Sequence, residues 1–118
     1  MSIALKRAYD PPRPGDGYRV LVDRLWPRGI AKKDAGLEQW LKEIAPSDSL
    51  RRWFHDNPSR WGDFRRQYLT ELKQHREQLR PLAQKARRET VTLVYGASDR
   101  HHNNAVVVKQ YLNMLARH

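Results

Sequence analysis

"TVTLVYGASDRHHNNAVVVKQYL", residues 90–112, decides the fold. Its first six residues are β-branched, apolar or aromatic, a composition that suits a buried strand. Gly96 opens a turn, and "SDRHHNNA" forms a polar loop. Asn103 or Asn104 then stands where a helix N-cap belongs. Val107, Val108, Tyr111, Leu112 and Leu115 keep a helical period to about Ala116, so the valine run reads as helix although valine favours strands. A strand that feeds a helix through a polar loop is half of an α/β unit.

Its partner is "YRVLVDRLWPRG", residues 18–29, where Val20, Leu21 and Val22 form a continuous apolar run. Such a run suits a strand covered on both faces. Residues 26–89 separate the two strands and read mostly as helix, ample for a parallel pairing. Parallel neighbours would deliver both following loops to one sheet edge, where open α/β sheets bind ligands. Further out, "SIALKRAY" (2–9) alternates as a short strand and "DPPRPGDG" (10–17) is a proline-rich loop. That link is too short for a crossover helix, so antiparallel pairing of the first two strands is expected.

The helical stretch divides at its prolines and polar caps. Asp34 is the expected N-cap of a helix striped by Leu37, Trp40, Leu41 and Ile44, and Pro46 ends that segment. Ser47 or Ser49 caps a short helix bearing Leu50, Trp53 and Phe54. Trp61, Phe64, Tyr68, Leu72, His75 and Leu79 stripe one long helix from Pro58, and Pro81 kinks or restarts it. The whole is an α/β fold, a small mixed sheet of about three strands packed by four to five helices. With 118 residues and neither repeat nor linker, it is one domain over residues 1–118.

Composition narrows the chemistry. The chain holds no cysteine, which excludes disulfides, thiolate nucleophiles and cysteine-ligated metals. No apolar run serves as a signal peptide or a membrane span, so a soluble cytoplasmic protein is expected. Twenty-three basic residues against thirteen acidic give a net charge of +10. Residues 51–90 hold 11 basic and 5 acidic residues, the largest local excess. This favours anionic partners, although solubility alone also explains a basic surface.

At the shared sheet edge the candidate ligand residues are Asp23, Arg24, Trp26 and Arg28 from one loop and Ser98, His102, Asn103 and Asn104 from the other. The last helix would add free N–H groups and the positive end of its dipole, so a small anion is the expected occupant. Structural roles compete at each position. Asp23 and Arg24 can seal a strand end, Trp26-Pro27 can plug the core, and an asparagine can simply cap its helix. The alternative is non-specific nucleic-acid binding through a helix face carrying Arg66, Lys73, Arg76 and Arg80. His101-His102 is a poor metal pair, because adjacent side chains diverge. No GxSxG, Walker, GxGxxG or HExxH motif occurs, and neither a cofactor nor a metal is called for.

"KRAYDPPRPGDGYRVLVDRLWPRGI", "FRRQYLTEL" and "VTLVYGASDRHHNNAVVVKQYL" together resemble the domain of unknown function 488 family, in its YeaO-like branch. The resemblance runs from Ile3 to Leu112. It implies a compact α/β protein with a small sheet and brings no settled activity. Asp23, Arg24, Trp26, Pro27, Arg28 and Gly29 fall on one signature block, and His102, Asn103, Asn104 and Ala105 on the other. Other branches carry a cysteine motif after the last strand. This chain has Tyr95-Gly96 there, so no thiol chemistry carries over.

Overall fold

The computed structural model describes residues 2–117. Four strands, β1 (Ser2–Arg7), β2 (Tyr18–Leu21), β3 (Gln39–Trp40) and β4 (Thr90–Tyr95), form one sheet in the order β1-β4-β2-β3. Every pairing is parallel. The helices are α1 (Lys32–Ala35), α2 (Asp48–Asp56), α3 (Trp61–Lys73), α4 (Arg76–Ala86) and α5 (Asn104–Ala116). The α/β class stands, but the sheet has four strands rather than about three and is parallel rather than mixed.

The first two strands are not an antiparallel pair. They flank β4 and run the same way. No helix is needed to return the chain, because residues 8–17 can span roughly 33 Å and a six-residue strand is only about 20 Å long. Side-chain bonds hold that link across β4. The Asp16 carboxylate accepts from Lys6 Nζ and Arg19 Nη1, and its backbone carbonyl accepts from Thr92 Oγ1 at 2.7 Å. Gly17 makes the entry into β2 possible. Its φ is +64°, and a Cβ there would lie 2.2 Å from the Thr90 carbonyl oxygen.

Residues 34–44 also depart from their helical spacing. Helix α1 lasts one turn, with Asp34 inside it rather than at its cap, and Gly36 ends it at φ +61°. Arg19, only 4% exposed, then takes the carbonyls of Ala35 and Gly36. Glu38 N–H donates to the Arg19 carbonyl and Leu41 N–H to that of Leu21, so the chain leaves as an edge strand. Leu41 and Ile44 are buried all the same. Extended chain and the short 3₁₀ turn at Lys42–Ile44 bury them as well as a helix would.

The single long helix is two. It starts at Trp61 and breaks at Gln74-His75, ahead of Pro81, which sits inside α4. The proline removes one bond, to the carbonyl of exposed Glu77, which water can serve. Helices α4 and α5 pack on β4, and α3 packs on α5. The core lies between them and one sheet face: Val20, Val22, Val91, Leu93 and Tyr95 meet Phe64, Tyr68, Leu72, Leu79, Val108 and Leu112. On the opposite face Arg19 and Thr92 bond the 8–17 link and the end of α1.

Candidate functional site

Parallel pairing of β2 and β4 brings their two following loops together, as the sequence implied. Asp23, two residues past β2, joins them. Its Oδ2 accepts the Gly96 N–H at 2.8 Å, and its Oδ1 accepts from Asn104 Nδ2 at 3.0 Å. The same Asn104 amide donates to the Val22 carbonyl at 2.9 Å. Burial raises the Asp23 pKa above its usual value, and these two donors only partly offset it. Gly96 is cramped here, since a Cβ would sit 3.1 Å from Asp23 Oδ2.

Asn103 is the cap of α5, and Asn104 is the helix's first residue. The Asn103 side-chain oxygen accepts the Val106 N–H at 3.1 Å, and its amide donates to the Asp99 carbonyl at 2.9 Å. Asp99 in turn accepts the backbone N–H groups of His101 and His102, which hold its carboxyl below the usual range. The His102 ring stacks on Trp61, centroids 4.9 Å apart.

A cavity of about 290 Å³ opens at this edge. Asp23, Arg24, His102, Asn103 and Asn104 line it, so five of the eight expected residues converge. The other three do not line it. Trp26 donates its indole N–H to the Ile30 carbonyl at 2.6 Å and packs edge-on against Trp40, so it braces its own turn. Arg28 and Ser98 are exposed outside the cavity. Arg100 pairs with Asp10 and ties the loop back to the end of β1.

Arg24 reaches across to the start of α2. One terminal nitrogen donates to the carbonyls of Ala45 and Pro46, at 3.3 and 3.2 Å. Its Nε lies 3.7 Å from Asp48 Oδ1, beyond hydrogen-bond distance, and is buried without a partner. Ser47 fixes α2 by accepting the Leu50 N–H and by donating from N–H and hydroxyl to Glu71. That placement brings Arg51 and Phe54 to the cavity, opposite Phe64 of α3. Sequence reasoning missed these three and the Leu25 lip. The three-residue step from Arg51 to Phe54 was a signal for one helix face, but not for what it faces.

The basic helix face fares differently. Arg66 bonds Asp63, Arg80 lies 3.6 Å from Glu77, and the α3–α4 break interrupts the row. Lys73 and Arg76 instead join Arg117 around a second cavity of about 320 Å³, floored by Tyr111, Met114 and Leu115.

Residues 2–117 match the family described as the inactive DUF488-N3 subclade. The chain belongs to that family. The chain is also similar to uncharacterised proteins of nearly the same length. The uncharacterised protein YeaO of Escherichia coli K12 is 48% identical over 115 residues, 98% of this chain and 100% of the relative. The uncharacterised protein Rv3073c of Mycobacterium tuberculosis is 39% identical over 111 residues, 94% of this chain and 93% of its own length. No solved structure matches the chain. Among the described residues no helix is long and apolar enough to cross a membrane, and no group of three or more His, Asp or Glu side chains could hold a metal ion.

Proposed function

We propose that this protein binds a small anionic ligand in the cavity between the β2 and β4 loops, and that it binds without turning the ligand over. One observation carries the reading. Arg24, Arg51, His102 and the amino end of α5 meet around a single hollow at the carboxyl edge of a parallel sheet. The family's description as inactive supports binding rather than catalysis. Asp23, for its part, joins the two loops, its two carboxylate oxygens accepting from Gly96 and Asn104.

Thermal unfolding of the full chain with added benzoate, acetate, phosphate or sulfate, at constant ionic strength, tests this. At least one anion should raise the midpoint, and Arg24→Ala should abolish the rise while the variant still unfolds cooperatively. No rise with any anion, or an undiminished rise in the variant, refutes the reading.

A second reading, non-specific contact with a nucleic-acid backbone, is favoured by the cleft of Lys73, Arg76 and Arg117. None of the three has an acid within ion-pair distance among the described residues. Binding to duplex DNA that weakens steeply with salt would support it.

A further inference from the structure

We infer that the occupant of the β2–β4 pocket is a monocarboxylate with a flat apolar body, such as an aryl carboxylate, rather than a phosphate-like dianion. This rests on the reading that the pocket binds an anion, and names the class.

The wall argues for the body. Leu25, Ala45, Pro46, Phe54, Phe64 and Ala97 supply half the lining residues. Apolar walls favour a ligand that sheds water from apolar surface. A strongly hydrated dianion would surrender its water to faces that return no hydrogen bond. Leu25 is 70% exposed at the rim, an apolar side chain standing in water beside an apolar hollow. A flat apolar ligand gives it a surface to cover. The volume, about 290 Å³, lies at the small end of ligand pockets and suits one ring with a short acid arm.

The charge argues for a single negative group. Two guanidinium groups line the pocket, but both lie within 4.0 Å of Asp48. Asp23 adds a carboxyl to the same lining. The remaining positive surplus comes from the partial charge at the start of α5. A second negative charge on the ligand would face Asp23 with no cation left to answer it. Arg24 Nε–H is the unmet donor. Two carbonyls hold its neighbouring nitrogen, and the Nε–H itself is buried and unpartnered. That atom has no accessible surface, so a ligand acid meets Arg24 at the exposed part of its side chain, 36% of which is open, where one carboxylate can be served.

Calorimetric titration of the full chain with benzoate, phenylacetate, benzamide and inorganic phosphate at fixed ionic strength tests this. ¹⁵N spectra following Gly96 N–H and Arg24 Nε–H locate the site. Benzoate or phenylacetate should bind at least tenfold tighter than phosphate or benzamide and move both resonances. Arg24→Ala should weaken the aryl acids at least tenfold. Leu25→Ser, at a 70%-exposed position, should weaken them about fivefold, as expected for partial loss of apolar cover. Phosphate binding as tightly as the aryl acids, with the same two resonances moving, overturns the carboxylate class and leaves the anion pocket intact. Benzamide matching benzoate overturns the need for charge. If none of the probes moves Gly96 or Arg24, the anion pocket falls and this inference falls with it.

Discussion

Helix α5 ends in two different places. Its amino end closes a hollow whose polar groups are bonded to one another before any ligand arrives: Asp23 to Gly96 and Asn104, Asn103 to Val106 and Asp99. Its carboxyl end borders a cleft of three long cations with no acid within ion-pair distance among the described residues, beside 46%-exposed Met114. The second place has the simpler charge, and the first has the built geometry. Cations near helix carboxyl ends are expected in any case, since the carbonyl ends of α3 and α5 attract them. Charge excess therefore marks where polyanions gather, and interlocked short side chains mark where a particular molecule would be held.

Substitutions at the two ends test that contrast. The largest effect belongs to Phe64→Ala at the amino end. Phe64 is 3% exposed and stacked on Phe54 at 4.4 Å, so urea unfolding should show a loss of about 3–5 kcal/mol. A loss under ~1 kcal/mol would show the wall to be loosely packed.

Asp23→Ala strands the Gly96 N–H and part of the Asn104 amide, and should cost about 1–3 kcal/mol. Asp23→Asn isolates the charge. The folded pKa is raised above 3.8, so the fold holds this proton more tightly than the unfolded chain does. The benefit of a neutral Asp23 is complete below that pH and fades as pH rises towards the folded value. Wild-type stability minus that of Asp23→Asn should therefore fall with rising pH across that window. A difference that grows with pH would mean that the donors outweigh burial.

Asn103→Ala removes the α5 cap and should cost about 1 kcal/mol, with Asn103→Ser recovering most of it. At the far end the changes should be small and of opposite sign. Lys73→Glu, in the last turn of α3, should destabilise by ~0.3–1 kcal/mol, and Arg76→Glu, the first residue of α4, should stabilise by a similar amount. Larger losses there, or DNA binding that survives both changes together, would break the contrast.

Some of this was legible in the chain. Strand β4 and helix α5 announce themselves because a β-branched and aromatic run, a turn glycine and a capping amide are local signals. Asp23, Arg24, His102 and the two asparagines could be gathered once parallel pairing was assumed. Residues 34–44 were not legible, since Leu37, Trp40, Leu41 and Ile44 have helical spacing and yet follow a mostly extended path. Gly36 and the reach of Arg19 outweighed that period. Trp26 was misplaced because an indole that bonds its own turn looks, in sequence, like one that faces a ligand.

The amino acids by themselves determined which segments bury, that an asparagine caps α5, that the chain is basic and that it offers no thiol chemistry. Tertiary structure alone decided that β1 and β2 run parallel on either side of β4, that a third partner joins as β3, and that Arg51, Phe54 and Phe64 wall the hollow. The reason is reach. Residues 8–17 are long enough either to turn back beside β1 or to cross over β4, so nothing local separates the two paths. The choice falls to contacts between residues far apart in the chain, such as Thr92 with Asp16 and Asp23 with Asn104.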